Sequence, residues 1–333
     1  MSTTAPNTRP TALIIGAGGG LGHEVTRALL GHGWRVRALV RDPVKAGAGL
    51  ASLGDVECVA GDAARLADVV AAVQGASVIV HAVNPPRYRN WRGLAIPMLR
   101  NAIEAARASG ARLMFPGNVY NFDPQALSPI AEDDVQRPRT RKGAVRVEME
   151  AMLRAASREG VRAIVIRAGD FFGGHAPSSN FSNIVVRPGR PLRSVVYPGT
   201  PSVGHAWAYL PDLAETFAEI ADRERGLPAF ETFHFAGHWL APGIEMAHAV
   251  RRASGNPRLP IRRFPWFAVT LLSPFVLLFR ELLEMKYLWQ QPLALDNRKL
   301  VGLLGREPRT PFDQAIGDSL RGMGCLAPAF RSS

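Results

Sequence analysis

Residues 11–42 read TALIIGAGGGLGHEVTRALLGHGWRVRALVRD and decide the fold of this chain. The stretch opens with a short apolar run, Thr11 to Ile15, whose β-rich composition predicts a strand. A glycine-rich turn follows at once, apolar residues then recur at helical spacing, and Arg35 to Val40 predicts a second strand. Strand, glycine turn, helix and strand together form one βαβ unit of about 30 residues, the setting in which a glycine pattern indicates a dinucleotide site.

Each glycine of this turn has a physical role in that interpretation. Gly16 allows a tight turn off the strand, Gly19 lets the backbone approach a pyrophosphate, and Gly22 lets the helix pack against the sheet. The N–H groups of the helix N-terminus then face the phosphates. A tight turn without a ligand would also need glycine, but the flanking strand and helix favour dinucleotide binding. The predicted phosphate-binding residues are Gly16, Gly18, Gly19, Gly20, Leu21 and Gly22.

The end of the second strand indicates which dinucleotide is bound. An NAD site usually has an acidic residue there that holds the ribose 2′-OH, whereas an NADP site needs a cation for the 2′-phosphate. Arg41 occupies this region, and Asp42 follows one residue later. An arginine can stack on adenine and pair with the phosphate, so the sequence predicts NADP(H) in preference to NAD(H). The alternative is a plain surface arginine in an arginine-rich protein.

Length and composition describe a folded globular protein. The chain has 333 residues, 47% of them hydrophobic and 20% charged, enough for one α/β unit with a smaller C-terminal lobe. Its two cysteines, Cys58 and Cys325, lie far apart and match no metal-ligand spacing, so we predict reduced thiols in a cytoplasmic protein. Residues 1–10 lack the apolar core of a signal peptide and are expected to form a flexible N-terminus.

The net charge of +12 raises the question of a nucleic-acid partner. Of the 40 basic residues only Lys45, Lys142, Lys286 and Lys299 are lysines, and the arginines are scattered along the chain rather than gathered in one block. No helix-turn-helix, zinc or aromatic RNA-binding signature accompanies them. We therefore expect small anionic ligands and no nucleic acid.

The most membrane-like segment is residues 264–279. It has 16 residues, contains Pro265 and Pro274, and is followed by Arg280 and Glu281. A membrane-spanning helix needs about 20 apolar residues, so we expect a buried or lid-forming helical pair and no membrane span. The aromatic and aliphatic residues of this region indicate a substrate or partner with an apolar part, and peripheral contact with a membrane stays open.

The alternation of strands and helices continues beyond the first unit. Further strands are predicted at Val56 to Ala60, Ser77 to Ala82, Arg112 to Phe115 and Gly160 to Arg167. This order predicts an α/β fold with a doubly wound, Rossmann-type parallel sheet. Residues 11–168 would form the dinucleotide-binding domain and residues 169–333 a smaller, mixed substrate-binding lobe, with a helix and a strand near 211–237 returning to the main sheet.

The spacing G-x-x-G-x-x-G and the chain length resemble the extended, epimerase-like branch of the short-chain dehydrogenase/reductase superfamily. Residues 165–173 and 209–214 are also similar to motifs of that branch. The resemblance implies that an Asp after the third strand contacts adenine and that the loop after the fourth strand lines the cofactor. The cofactor residues that it implies are Asp62, Ala63, Ala82, Val83, Asn84, Lys142, Ala168 and Gly169. Asp62 could also be the N-cap of the following helix.

The catalytic positions are where the chain departs from this superfamily. Its members use a Ser or Thr after the fifth strand and a Tyr-x-x-x-Lys on the next helix, with the Tyr as general acid/base. Here the fifth strand leads into Phe-Pro-Gly-Asn-Val-Tyr at 115–120, so Asn118 is the nearest polar side chain. Lys142 stands in place of the Tyr, and Arg146 stands in place of the Lys. The motif is therefore degenerate.

Three interpretations of these substitutions remain open. In the first, an arginine beside Lys142 favours the neutral amine, which acts as acid or base, while Tyr120 supplies a phenol and Asn118 orients a carbonyl. In the second, the chain is a non-catalytic NADP-binding sensor or regulatory protein, and Lys142 and Arg146 only hold ribose and phosphate. In the third, it is a sugar-nucleotide epimerase with other catalytic groups. We favour an NADP-dependent oxidoreductase or epimerase-like enzyme that acts on a small carbonyl or hydroxyl compound.

Residues with side chains suited to a substrate follow the sixth strand. His175, His205 and Trp207 are the predicted substrate residues, although a buried structural histidine is an equal alternative for His205. No His, Cys, Asp and Glu spacing suits a metal, so none is predicted. Members of the superfamily often dimerise, so the resemblance allows a homodimer.

Overall fold

The computed structural model describes residues 9–85, 91–123, 129–174 and 179–326. The predicted flexible N-terminus lies mostly outside the described residues, as does His175. The chain divides into two compact units that interleave along the sequence. Unit 1 comprises Met1–Pro116, Glu148–Val165 and Phe217–Glu231, and unit 2 comprises Gly117–Val147, Ile166–Thr216 and Thr232–Ser333.

A seven-stranded sheet is the main element of the fold. The strands of the chain are β1 (Thr11–Ile15), β2 (Arg35–Val40), β3 (Val56–Ala60), β4 (Val78–His81), β5 (Arg112–Asn118), β6 (Ala163–Ala168), β7 (Asp170–Phe172), β8 (Val195–Tyr197), β9 (His205–Tyr209), β10 (Phe230–Phe235), β11 (His238–Leu240) and β12 (Ile261–Arg263). The sheet order is β10-β6-β5-β4-β1-β2-β3, and β3 to β5 pair in parallel through β2, β1 and β4. The predicted doubly wound, Rossmann-type fold is confirmed.

Helices connect these strands. They are α1 (Gly20–Gly31), α2 (Pro43–Leu50), α3 (Leu66–Ala72), α4 (Trp91–Ser109), α5 (Arg141–Ser157), α6 (Leu210–Asp222), α7 (Glu245–Ala253), α8 (Trp266–Leu272), α9 (Leu277–Met285), α10 (Arg298–Leu304) and α11 (Phe312–Gly322). No helix in the described part of the chain is long and apolar enough to cross a membrane. Both cysteines are free thiols, as predicted.

The buried strand β1 and the glycine turn that follows it explain why this part of unit 1 forms a strand, a tight turn and a helix. All five residues of β1 are buried, and the full burial of one aliphatic side chain of this kind stabilises the fold by about 1.5–3 kcal/mol. Gly16 has φ +100, and a Cβ there would lie 2.8 Å from the backbone of Ala82. A Cβ on Gly22 would overlap the carbonyl oxygen of Gly16. Both glycines are therefore required by the fold itself.

Unit 2 contains two smaller sheets and a second core. One sheet has the order β11-β9-β7, and the other pairs β12 with β8. An aromatic cluster fills the core: Phe172 lies edge-on to Trp207 at 6.1 Å between ring centroids, and Trp207 lies edge-on to Trp289 at 5.6 Å. Trp207 and Phe172 are fully buried. This region forms the mixed C-terminal part of the predicted fold.

Several elements differ from the sequence-based expectations. Strand β5 continues past Phe115 to Asn118. Strand β9 was not predicted because all five of its residues are buried, so its sequence shows no alternation. The helical pair expected from residue 264 onward is present, but Val269 is the only buried residue among the described side chains of α8 and none is buried in α9, so the pair is not a buried one.

A buried histidine makes the stability of unit 2 depend on pH. His234 lies on β10, where its Nδ1 is 3.1 Å from the carbonyl oxygen of Ile130 and its Nε2 is 2.9 Å from the Arg167 guanidinium. Because Arg167 can only donate, Nε2 accepts and Nδ1–H donates, which is the neutral ring. Burial, followed by the charge of Arg167, lowers the pKa of His234 to about 3.

We therefore expect acid to destabilise the protein through His234. The unfolded chain takes up a proton at about pH 6.5, whereas the folded state does not until about pH 3, so stability is complete above pH 6.5 and falls between these values. At pH 5 the loss from this group should be about 2 kcal/mol, measured as the free energy of urea unfolding relative to pH 7.5. His234→Gln should flatten the profile by about this amount. His248→Gln, at a half-exposed histidine, is the control, and equal profiles for all three proteins would refute the assignment.

Gly22→Ala should destabilise unit 1, since the new methyl group meets the backbone of Gly16 and neither can move freely. We expect a loss of about 1–3 kcal/mol in the free energy of unfolding. Gly31→Ala in the same helix is the matched control, because nothing lies within 4 Å of its added Cβ. That change should leave stability unchanged or raise it by about 0.5–1 kcal/mol. Equal stabilities of the two variants would contradict the packing argument.

Candidate functional site

The glycine turn of unit 1 has the geometry of a phosphate-binding site. Gly19 is the N-cap of α1, and no side chain caps this helix end. The first turn of α1 carries no acidic residue, so the positive end of the helix dipole is not neutralised there. Nothing lies within 4 Å of the position that a Cβ on Gly18 would take, so the turn is open above its backbone. These features fit the pyrophosphate of a dinucleotide.

The two residues after β2, Arg41 and Asp42, are in different environments. Asp42 is the N-cap of α2, and its carboxylate accepts a hydrogen bond of 3.0 Å from the backbone N–H of Lys45. Arg41 is exposed, and within the described residues no ion pair joins its guanidinium to a carboxylate. The Asp42 carboxylate is therefore engaged in capping α2, whereas the Arg41 guanidinium is not.

The other predicted cofactor residues of unit 1 follow β3 and β4. Asp62 is half-buried, and its Oδ1 accepts a hydrogen bond of 2.9 Å from the N–H of Ala64. The helix N-cap is Arg65, so the alternative role of Asp62 as that cap is wrong. Ala63 is buried, and its carbonyl oxygen accepts from Asn101.

The loop after β4 begins directly beside the glycine turn. The N–H of Ala82 donates to the carbonyl oxygen of Ile15 at 2.9 Å, which keeps the chain after β4 beside the end of β1. Val83 is half-buried and Asn84 is exposed. The structure therefore brings Ala82 and Val83 close to Gly16, as the cofactor assignment requires.

The start of α5 in unit 2 carries the lysine that replaces the catalytic tyrosine. Lys142 is buried, and its Nζ lies 2.6 Å from the Glu281 carboxylate and 3.1 Å from the Glu281 carbonyl oxygen. The backbone N–H of Lys142 donates to the Glu284 carboxylate at 3.0 Å. Both carboxylates come from α9. A carboxylate beside Nζ favours the charged ammonium form of lysine, so this geometry does not favour the expected neutral amine.

Close backbone packing brings the start of α5 to the end of β5. A Cβ on Gly143 would overlap the backbone carbonyl oxygen of Tyr120. Asn118 uses its Oδ1 to accept a 3.0 Å hydrogen bond from the Tyr120 N–H, and both side chains are half-buried. Arg146 is buried one helical turn after Lys142. All four predicted catalytic residues therefore belong to unit 2, with Lys142 adjoining the backbone of Tyr120.

His205 is held by three groups within unit 2. Its Nε2 lies 2.9 Å from the Asp170 carboxylate, its Nδ1 lies 3.2 Å from the carbonyl oxygen of Leu288, and its ring stacks on Trp289 at 4.1 Å. Both ring nitrogens face acceptors, which an imidazolium satisfies with two N–H groups. His205 is buried, so the structural alternative describes it better than substrate contact.

Three other predicted site residues, Ala168, Gly169 and Trp207, also lie in the interior of unit 2. Ala168 is fully buried. A Cβ on Gly169 would overlap the carbonyl oxygen of Ala206, so the packing there requires glycine. Gly169 and Asp170 line a small cavity together with His205 and Leu288. Trp207 is fully buried in the aromatic core, and its contact with a substrate stays a prediction.

Sequence reasoning missed Asp170 and Glu281, which pair with His205 and Lys142. Glu281 and Glu284 are three residues apart on α9, so they share one helical face, but nothing in the sequence places that face against a residue 139 positions earlier. Asp170 lies in a segment that was compared only with a family motif. Among the described residues, no group of three His, Cys, Asp or Glu side chains could hold a metal ion.

Comparisons with known proteins agree with the geometry of the glycine turn. Residues 16–116 match the family model described as NAD(P)H-binding. A ceramide reductase from Caulobacter vibrioides is 34% identical over 141 residues, which cover 40% of this chain and 44% of that protein. The match thus spans less than half the length of this curated relative.

Solved structures share the fold over nearly the whole chain. UDP-glucose 4-epimerase from Stenotrophomonas maltophila, with bound NAD and formylated UDP-arabinopyranose, superposes with a TM-score of 0.76 at 15% identity, covering 95% of this chain and 97% of that one. UDP-glucose 4-epimerase from Bifidobacterium longum, in complex with NAD+ and UDP, gives 0.73 at 16% identity, covering 95% and 100%. Residues 16–116 thus match an NAD(P)H-binding domain, and the chain has the fold of these UDP-glucose 4-epimerases.

Proposed function

We propose that this protein is an NADP-dependent oxidoreductase or epimerase-like enzyme that acts on a small carbonyl or hydroxyl compound with non-standard catalytic residues. The observation that carries the proposal is the uncapped N-terminus of α1 behind the glycine turn, inside the matched NAD(P)H-binding domain. The proposed cofactor is NADP(H) rather than NAD(H), because the Asp42 side chain caps α2. Arg41 is exposed, so its guanidinium can pair with the 2′-phosphate of NADP(H).

The candidate catalytic residues can donate hydrogen bonds to a substrate oxygen. When bound, the nicotinamide supplies or accepts the hydride. In the direction of reduction, the carbonyl oxygen must gain a proton, and the Lys142 ammonium and the Tyr120 phenol are the groups proposed to supply it. Glu281 holds Lys142 in its charged form, so this lysine acts as a donor. Asn118 retains its amide N–H groups for orientation of a carbonyl, because its Oδ1 is engaged.

The proposed substrate is partly apolar. The Caulobacter relative is named as a reductase of ceramide, which is a lipid, and the segment 264–279 of this chain is almost wholly apolar. We further propose a cytoplasmic location, which suits the two free thiols, and a homodimer as in many proteins with this fold.

A non-catalytic NADP-binding sensor is the second candidate. The observation that favours it is the ion pair of Lys142 with Glu281. Lys142 stands in place of the catalytic tyrosine in the motif, and this ion pair already engages its ammonium group. The residue types that do acid/base work in the resembling superfamily are absent from both positions. A sensor would bind NADPH and change its shape or its partners without oxidising the nucleotide.

Arg41→Ala should weaken NADPH binding by about 1–3 kcal/mol and leave NADH binding almost unchanged, since only the 2′-phosphate loses a charge-assisted contact. Calorimetric titration of both nucleotides measures this difference. Arg158→Ala, at another exposed arginine of unit 1, is the matched control and should bind both nucleotides like the original protein. Equal weakening of NADPH and NADH by Arg41→Ala would refute the assignment of Arg41 to the 2′-phosphate.

Lys142→Ala and Tyr120→Phe should each lower kcat for NADPH-dependent reduction by about 100-fold, as expected when a proton donor is lost. A panel of short-chain and long-chain ketones and aldehydes provides the substrates, and NADPH oxidation is followed by absorbance. Arg225→Ala, at a side chain that is 89% exposed, is the control. Full activity of both variants would remove the catalytic assignment, and NADPH binding without any turnover by the original protein would favour the sensor.

A further inference from the structure

An exposed apolar surface covers the helical pair α8–α9, which we call the apolar hairpin (residues 264–285). Phe267 is 83% exposed and Phe275 is 85% exposed, with Leu271 at 63% and Leu278 at 58% between and beside them. Leu272, Val276 and Leu277 are exposed as well. Large apolar side chains exposed singly are normal, but a contiguous set on one element marks an interaction surface.

The chain immediately before the apolar hairpin carries basic but no acidic residues, although Arg252 pairs with Glu245 and Asp313. From residue 246 to residue 280 the chain contains no Asp or Glu, and its arginines there are Arg251, Arg252, Arg258, Arg262, Arg263 and Arg280. Arg262 and Arg263 are exposed on β12 immediately before the hairpin, and Arg280 is exposed immediately after its apolar run. The apolar surface therefore lies between exposed cations, with no charged side chain among residues 264–279.

Contacts within unit 2 hold the hairpin in place on its inner side. The indole N–H of Trp266 donates to the carbonyl oxygen of Pro198 at 2.6 Å, and Lys286 Nζ lies 5.4 Å from the Trp266 ring centre. On α9, Glu281 and Glu284 bind the side chain and the backbone of Lys142. Trp266, Glu281 and Glu284 thus contact the rest of unit 2, whereas Phe267 and Phe275 are exposed.

We propose that the apolar hairpin inserts into the interfacial region of a membrane that contains anionic lipids. The pair is too short to span a bilayer, since α8 has 7 residues and α9 has 9. Exposed aromatic and aliphatic residues between cations are instead the pattern of interfacial helices, whose apolar face enters the boundary of headgroups and acyl chains. Anionic headgroups complement Arg262, Arg263 and Arg280. This inference does not depend on catalysis.

Flotation of the full-length protein with vesicles tests the proposal. The protein should float with vesicles of phosphatidylcholine and phosphatidylglycerol, float less with phosphatidylcholine alone, and lose binding as salt is raised. The double variant Phe267→Ser/Phe275→Ser should lower the bound fraction about tenfold, and Arg262→Gln/Arg263→Gln should remove the preference for phosphatidylglycerol. Val44→Ser/Val135→Ser is the matched control, because these valines are 85% and 67% exposed outside the hairpin.

The alternative occupant is a second copy of the chain, and sedimentation equilibrium distinguishes it. If Phe267→Ser/Phe275→Ser lowers the molar mass in solution while the original protein does not float, the hairpin is an interface between copies and the proposal is overturned. Equal flotation of the original protein and this variant would also overturn it. Thermal unfolding and NADPH titration of each variant verify that the fold and the nucleotide site are intact, so a failure of NADPH binding is separable from a failure of membrane binding.

Discussion

The close approach of α1 to the carbonyl group of Gly16 is the constraint on which unit 1 depends. Because Gly22 has no Cβ, the helix can begin directly at the end of the central strand β1. The helix N-terminus has no side-chain cap, because its N-cap residue is Gly19, and its first turn contains no acidic residue. A single packing requirement therefore fixes the order of the βαβ unit and also creates the anion site, so the fold and the cofactor chemistry follow from the same glycines.

Unit 2 repeats this relation between packing and chemistry at the start of α5. Gly143 allows the helix to touch the backbone of Tyr120 beside Lys142, the residue that stands at the tyrosine position when the sequence motifs are compared. The Nζ of Lys142 is bound to the Glu281 carboxylate. Since a charged lysine can donate but cannot accept, a reaction that uses Lys142 in this state needs a proton donor at the substrate oxygen rather than a base.

The sequence predicted the elements that repeat a local pattern. Strands β1 to β4 and helix α1 were predicted to within about two residues because glycines and hydrophobic periodicity mark their ends. The short strands of unit 2 carry no such mark, since their register comes from pairing with distant segments. For the site, glycine spacing predicted the phosphate turn. The ion pairs of Lys142 and His205 could not be predicted, because each joins segments that only tertiary folding brings together.

Helix α9 combines two constraints that its sequence satisfies in its two halves. Glu281 and Glu284 point to the start of α5, while Leu277 and Leu278 at the beginning of the helix are exposed beside Phe275. Replacing the inner carboxylates would leave the buried ammonium of Lys142 without its partner, which is costly in a desolvated position. Replacing the outer residues would cost the fold little, because none of the described side chains of α9 is buried. Folding therefore does not explain the apolar character of the first turn of α9, and the proposed contact with a lipid surface does.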